Sequence, residues 1–107
     1  MQKYVATLFF AANGQENIEN DDLFKAVARV YGGWTLSKAE GGYVMRDGTL
    51  IVEPAWKLEI LFHPQGPREG IKAFRREITK FAGMIKERFK QESVLVTIHS
   101  LSFEEFV

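Results

Sequence analysis

A carboxylate inside an apolar segment is the group in this sequence that is best placed to do chemistry. Glu53 stands between the pairs Ile51-Val52 and Ala55-Trp56, so its side chain must reach water or receive hydrogen bonds where it is buried. Gln91 and Ser93 carry groups that could donate such bonds. A carboxyl group whose pKa is raised by burial can act as a general acid or base. The spacing identifies no second catalytic group, so we predict no catalytic residue. A Glu53 that caps a bend and a Gln91 that closes a loop fit the sequence as well.

Other familiar kinds of reactive site are not indicated. The chain has no cysteine, which excludes disulfides, thiolate nucleophiles and thiolate metal ligands. Its two histidines, His63 and His99, lack the spacing of metal ligands. No nucleophile motif, phosphate-binding loop or dinucleotide fingerprint occurs, and Gly41-Gly42 is interpreted as a bulge. We therefore predict that the protein uses no metal and no cofactor.

Positive charge is concentrated on one side of a helix predicted over residues 69–90. Apolar residues recur at helical spacing along its other side, from Ile71 to Phe89. The basic side chains are Lys72, Arg75, Arg76, Lys86 and Lys90. Such a face could hold phosphates, although charges opposite an apolar face are usually the solvated side of a helix. The predicted central strands lack the aromatic motif of RNA-recognition modules, so nucleic-acid binding ranks third among our hypotheses.

A long hairpin organises the rest of the chain. Its strands cover residues 34–45 and 49–62 around Asp47-Gly48, a dipeptide typical of a two-residue type I′ turn in which both residues have positive φ. The strands are interrupted at Glu40-Gly41-Gly42 and at Glu53-Pro54-Ala55. Since glycine often marks a bulge and proline cannot donate to the ladder, we expect the hairpin to bend or twist there.

The remaining elements flank this hairpin. Residues 4–10 are aromatic and β-branched, as in a central strand, and residues 94–98 form the last strand. A helix between the first strand and the hairpin is expected to begin after an N-cap at Asn20 and to end at Gly32-Gly33. Phe103 and Phe106 are expected to pack back on the body of the protein.

The order strand, helix, strand, strand, helix, strand predicts an α+β, ferredoxin-like fold. Residues 1–107 then form one domain, with a four-stranded antiparallel sheet in the order 4-1-3-2 and two helices on one face. In this topology the end of the first strand and the starts of the third and fourth strands lie at the same end of the sheet. The candidate ligand or partner site at that end comprises Asn13, Glu53, Trp56, Gln91 and Ser93.

The sheet face without helices is a candidate interface. The first strand offers apolar residues to both faces, and an uncovered apolar patch usually marks an interaction surface. The interface candidates are Phe9, Lys57, Leu61 and His63. This predicts a protein partner or a homodimer, and the edge strands offer a second route by strand addition.

Composition gives no global preference for a charged partner. The 107 residues include 14 basic and 14 acidic side chains, for a formal net charge of zero. No run approaches the roughly 20 apolar residues that a membrane helix needs. We interpret the apolar start of the chain as a core strand rather than a secretion signal. We therefore expect a cytoplasmic protein without membrane contacts.

One set of residues resembles an uncharacterised bacterial family of small proteins, a domain of unknown function. The set comprises Gly33-Trp34-Thr35-Leu36, Ala39, Gly41, Tyr43, Gly48, Glu53 and the segment 89–95, which reads Phe-Lys-Gln-Glu-Ser-Val-Leu. Many members of that family are exported or lipid-anchored, but this chain lacks the lipoprotein cysteine and has Val52 where a basic residue is expected. The resemblance implies interest in Glu53, Gln91 and Ser93, and no activity.

Two hypotheses of different classes therefore lead. The first is a non-enzymatic interaction module that binds itself or a macromolecular partner, by analogy of size and fold with accessory proteins of phages and mobile elements, including inhibitors of host complexes. The alternative is a small-molecule binder or enzyme whose pocket lies at Glu53 and Gln91 and is completed by a second subunit.

Overall fold

A computed structural model describes residues 3–12, 18–63, 70–105 and 107. In these ranges the elements follow the predicted order: β1 (Lys3–Ala11), α1 (Asp22–Tyr31), β2 (Thr35–Val44), β3 (Leu50–Phe62), α2 (Ile71–Arg88) and β4 (Leu95–Leu101). Two residues named above, Asn13 and Phe106, lie outside the described residues. No helix in the described ranges is long and apolar enough to cross a membrane.

The strands form one antiparallel sheet in the order β2-β3-β1-β4. This confirms the predicted ferredoxin-like fold, with β1 and β3 in the centre and β2 and β4 at the edges. Alternate residues of the central strands enter the core, among them Leu8 from β1 and Leu58 from β3, which are paired in register and fully buried. Both helices contribute to the same core, α1 through Phe24 and α2 through Ile78, so they cover one face of the sheet.

The other face of the sheet carries the odd-numbered residues of the strands. Val5, Thr7 and Phe9 of β1 lie there beside Leu61 and Lys57 of β3. Phe9 and Leu61 are half-buried, and Thr7 is only 7% exposed. The uncovered face therefore carries both apolar and polar side chains.

Helix α1 begins one residue later than predicted. The N-cap is Asp21, whose Oδ1 accepts a hydrogen bond from the Leu23 N–H at 3.0 Å. Its Oδ2 accepts a second bond from Nε of Arg88 on α2 at 3.1 Å. One carboxylate thus caps the helix and also binds a guanidinium group. The N-cap prediction at Asn20 is wrong, because Asp21 accepts the capping bond. Gly32, at φ 87°, ends the helix as expected.

The turn between β2 and β3 is not of type I′. Its loop has three residues, Arg46-Asp47-Gly48, closed by bonds from the Gly48 N–H to the Met45 carbonyl and from the Met45 N–H to the Thr49 carbonyl. Gly48 has positive φ, but Asp47 is not among the described residues that do. This is a turn followed by a left-handed glycine, the usual three-residue hairpin loop. The Thr49 N–H also donates to the Asp47 carboxylate, which lowers the pKa of Asp47.

The predicted bulge in the hairpin is also wrong. Pairing between β2 and β3 is continuous from Thr35↔Glu59 to Val44↔Leu50. Pro54 fits because its carbonyl accepts from the Ala12 N–H at 3.0 Å. The N–H that a proline lacks would point to the same side, where β1 ends, so no bond to β2 is lost.

The two strands of the hairpin extend beyond the rest of the sheet. The last pair between β1 and β3 is Ala11↔Ala55, and among the described residues β2 and β3 continue without a neighbour through residues 40–53. We call these residues, with their turn, the projecting ribbon. It helps to give the described protein its elongated extents of 49 × 30 × 29 Å.

The C-terminal segment is held by a polar contact instead of the predicted aromatic one. Phe103 is 76% exposed, so the expectation that it packs back is wrong. Glu104 lies 2.8 Å from Nε2 of His63, at the end of β3.

Candidate functional site

Three segments that are distant in sequence line one groove at the end of the sheet. These are the end of β1, the base of the projecting ribbon and the connection from α2 to β4, and the open groove between them has a volume of about 910 Å³. The predicted site residues Glu53, Gln91 and Ser93 all line it. The fold thus brings Glu53 close to Gln91 and Ser93, which follow it by 38 and 40 positions in the sequence.

Gln91 is held against the backbone of β1. Its Oε1 accepts from the Ala11 N–H at 2.9 Å, and its Nε2 donates to the carbonyls of Ala11, at 3.3 Å, and Phe89, at 3.0 Å. Pairing between β1 and β4 ends at Phe9↔Leu95, so the side-chain amide takes the place of a strand residue opposite Ala11. Both amide hydrogens of Gln91 are used in these bonds, so Gln91 is not the donor to Glu53 that the sequence allowed.

The end of α2 sets the position of this amide. The Gln91 N–H donates to the Lys86 carbonyl at 2.8 Å, and the Lys90 N–H points to the Glu87 carbonyl at 3.4 Å. These bonds define a Schellman motif, in which Lys90 takes the left-handed conformation at φ 52°. Lysine stands at a position that normally favours glycine.

Replacing Lys90 with glycine should stabilise the protein. Relief of the left-handed strain exceeds the added entropy of the unfolded chain, so we expect the free energy of unfolding to rise by about 1 kcal/mol. Urea denaturation would measure it. Lys90→Ala is the matched control, because it removes the same charge but keeps the Cβ and should bring no gain. Equal stabilisation by both variants would show that the Lys90 side chain, and not its backbone conformation, was unfavourable.

Glu53 lies on the uncovered face of the sheet and is half-buried. Its cross-strand partner is Gly41, where a Cβ would meet nothing within 4 Å. Glycine therefore leaves the space above the carboxylate open. Tyr43, two residues further along β2 on the same face, is 53% exposed and also lines the groove.

Trp56 does not belong to the site. It lies three positions from Glu53 on a regular strand, so the two side chains point to opposite faces. Trp56 is 5% exposed in the core, with Nζ of Lys38 at 5.6 Å from its ring centre. The prediction of Trp56 as a site residue is therefore wrong. Asn13 lies outside the described residues.

Sequence reasoning missed Tyr43 and Lys90 as groove residues. Tyr43 could have been found from the hairpin register, since an uninterrupted ladder that pairs Gly41 with Glu53 puts Tyr43 on the same face. The sequence predicts Lys90 on the basic face of the second helix. The structure ends α2 at Arg88, which separates Lys90 from that face.

The remaining predicted site residues lie on two other surfaces of the protein. Lys57 of the uncovered face lies 3.8 Å from Glu59, and His63 contacts Glu104. Four basic side chains of α2 are exposed: Lys72, Arg75, Arg76 and Lys86. Among the residues that the structure describes, no group of three or more potential metal ligands gathers.

A second cavity, of about 510 Å³, lies at the opposite end of the sheet. Its lining includes Tyr31, Trp34, Glu59 and His63. The Tyr31 hydroxyl donates to Glu77 on α2. Burial, and then this bond, raise the pKa of Tyr31 well above its ordinary value. The hydroxyl therefore stays protonated and links the two helices.

Comparison with known proteins identifies the fold and no family. No protein-family model matches the chain, and no curated protein matches it, so the resemblance to a domain of unknown function stays a prediction. Two solved structures of a phage SAM lyase are similar. The complex with S-methyl-5'-thioadenosine has a TM-score of 0.60 and 20% identity, over 98% of this chain and 93% of that chain. The apo form has a TM-score of 0.62 and 21% identity, over 99% and 94%.

The GlnK protein of B. subtilis has a similar structure. Its ATP complex gives a TM-score of 0.57 at 14% identity, over 94% of this chain and 84% of that chain. The fold is therefore found both in a lyase and in GlnK. At these identities the likeness shows the fold alone.

Proposed function

We propose that this protein binds an adenosine-containing small molecule in the groove at Glu53 and Gln91, with S-adenosylmethionine as the first candidate. Two proteins of the same fold are described with adenosine ligands, S-methyl-5'-thioadenosine in the phage SAM lyase and ATP in GlnK. This supports the choice of ligand class. The proposal itself depends on the chemistry of the groove.

The observation that carries the proposal is the environment of Glu53. Its carboxylate is half-buried, faces Gly41 across the ribbon and receives no hydrogen from the Gln91 amide, whose donors are used elsewhere. Tyr43 offers an aromatic ring beside it on the same face, and such rings stack on bases. A carboxylate can accept bonds from ribose hydroxyls or attract a sulfonium centre.

The charge of the groove distinguishes between the adenosine ligands. Its described lining contains two carboxylates, Glu53 and Glu92, and one ammonium group, Lys90. This balance favours a cationic or neutral ligand over a polyphosphate. We therefore expect S-adenosylmethionine and S-methyl-5'-thioadenosine to bind more tightly than ATP.

The Glu53→Gln substitution tests this function. It removes the charge and keeps the shape, so the affinity for S-adenosylmethionine should fall at least about tenfold, the equivalent of 1.4 kcal/mol. S-methyl-5'-thioadenosine, which lacks the sulfonium charge, should lose less. Isothermal titration calorimetry with the three ligands would measure both changes. Chromatography of S-adenosylmethionine incubated with the protein would show whether cleavage follows binding.

Glu59→Gln is the matched control. Glu59 is a half-buried glutamate on the same strand and the same face, at the other end of the sheet, and its substitution should leave the affinity unchanged. Wild-type protein that binds none of the three ligands would contradict the proposal. So would a Glu53→Gln variant that binds S-adenosylmethionine as tightly as the wild type does.

A second candidate function is an interaction module of phage or mobile-element origin, and the projecting ribbon favours it. Tyr43, Val44, Met45, Leu50 and Val52 are each 47–67% exposed, and exposed apolar clusters usually mark interaction surfaces. Under this candidate, substitutions in the outer ribbon abolish partner binding while Glu53→Gln has no effect. Under the first candidate, Glu53→Gln is the variant with the loss.

A further inference from the structure

Among the residues that the structure describes, none pairs with one backbone edge of the projecting ribbon. The Pro54 carbonyl faces β1, where it accepts from the Ala12 N–H. Because backbone groups alternate in direction along a strand, the N–H and C=O groups of Val52 and Leu50 face that same side. Within the described ranges no residue pairs with them, since β1 pairs with β3 only as far as Ala55.

Both faces of the ribbon at this edge are apolar. Val44, Leu50 and Val52 point to one face, and Tyr43 and Ile51 point to the other. Leu50 is 63% exposed and Val52 is 51% exposed. An isolated two-stranded ribbon is marginally stable in water. Apolar side chains on both faces, next to backbone groups with which no described residue pairs, therefore favour a partner at this edge.

We propose that the edge formed by residues 50–53 pairs with a second copy of this chain. Edge strands that stay single usually carry lysine or proline as a guard against pairing, but Leu50, Ile51 and Val52 are uncharged and β-forming. The proline of this strand, Pro54, comes only after the open segment.

The sequence of this edge is compatible with antiparallel pairing to itself. A two-fold axis at Ile51 places Leu50 opposite Val52 of the partner subunit, and Val52 opposite Leu50 of the partner subunit. Each such pair exchanges two backbone hydrogen bonds. The register sets Glu53 opposite Thr49 of the partner subunit, so no like charges meet. Apolar side chains face apolar side chains, which is why a second copy, rather than a foreign protein, is the occupant we infer.

The second copy has another edge that could accept the ribbon. Strand β4 ends the described sheet and pairs there only with β1. Pairing between two ribbon edges closes at a dimer, whereas pairing of a ribbon edge with a β4 edge continues around a ring of three or more copies. The molar mass of the assembly therefore tells which edge the second copy offers, and either result supports recruitment by residues 50–53.

Size-exclusion chromatography with light scattering tests the proposal. The wild-type protein should self-associate at a concentration of about 100 µM or below, in the range of weak to moderate interfaces. Val52→Pro removes an N–H that faces this edge and not β2, and Val52→Lys adds the charge that usually prevents pairing at an edge. Both variants should weaken association at least about tenfold, with unchanged circular dichroism.

Val30→Lys is the matched control for the charge. Val30 is 68% exposed on α1, so the same substitution there should leave the association intact. A monomeric wild type at about 100 µM overturns the proposal, as does association that Val52→Pro and Val52→Lys leave unchanged. Wild-type protein that stays monomeric but captures a different protein through the ribbon also overturns it. None of these readouts requires a ligand, so their outcome is independent of the groove proposal.

Discussion

Replacing Phe89 with alanine should lower the free energy of unfolding by about 3–5 kcal/mol, the usual range for a buried phenylalanine. Phe89 is 5% exposed. Its ring stacks on Phe10 of β1 at 5.8 Å between ring centres and on Phe24 of α1 at 6.3 Å. The side chain thus joins the end of α2 to the sheet and to the other helix. Its removal would leave a cavity between these three elements.

Urea denaturation would measure this loss, and two variants make it specific. Phe103→Ala removes the same ring from a residue that is 76% exposed, and should change stability by no more than about 0.5 kcal/mol. Phe89→Leu keeps most of the volume and should fall between the two. A total stability of 5–15 kcal/mol is typical of a domain, so Phe89→Ala can still be folded enough to study. A loss below about 1 kcal/mol would contradict the packing described for this ring.

The fold could be predicted because its signals are short-range and repeated. Leu8 and Leu58 lie in strands whose apolar residues continue at a period of two, and Phe74 and Ile78 lie at helical spacing. Once the element order is known, connection rules leave few topologies. The same rules brought Glu53 and Gln91 to one end of the sheet, as the groove shows. What they supply is the neighbourhood of a residue, not the direction of its side chain.

Trp56 shows why the sequence did not predict the face of the sheet to which a side chain points. Glu53-Pro54-Ala55 predicts an interruption of the strand, and a bulge of one residue would reverse the face of every later side chain. The register shows no bulge, so Trp56 enters the core and Glu53 faces outward. The prediction of a type I′ turn at Asp47-Gly48 was wrong because the same dipeptide occurs in two-residue and in three-residue hairpin loops.

Lys90 and Gln91 show a second limit. A left-handed residue is usually recognised by glycine or asparagine, and a lysine gives no such signal. The role of Gln91 depends on where β4 begins, since Ala11 needs a substitute partner only because pairing with β4 stops at Phe9. Such facts are settled by long-range packing, which local patterns do not contain.

Removing that substitute partner with Gln91→Ala should lower the free energy of unfolding by about 2–4 kcal/mol. The Ala11 N–H and carbonyl are part-buried and bonded to the Gln91 amide, and a buried polar group left without a partner costs about 1–3 kcal/mol. The Phe89 carbonyl loses a bond as well. Urea denaturation gives the total, and hydrogen exchange of the Ala11 amide should become faster, because no strand residue replaces the lost acceptor.

Two further substitutions distinguish a backbone clip from a ligand-binding side chain. Glu92→Ala alters the exposed neighbour and should leave stability within about 0.5 kcal/mol of the wild type. Gln91→Glu keeps the acceptor for Ala11 but turns a carboxylate oxygen toward two carbonyls. The protonated acid can donate to one of these carbonyls, whereas the carboxylate cannot. The free energy of unfolding of this variant should therefore be low at neutral pH and should rise as the pH falls and the carboxyl takes up its proton. Ligand binding that is lost in Gln91→Ala with full stability, and with unchanged exchange at Ala11, would mean that the amide contacts the ligand instead.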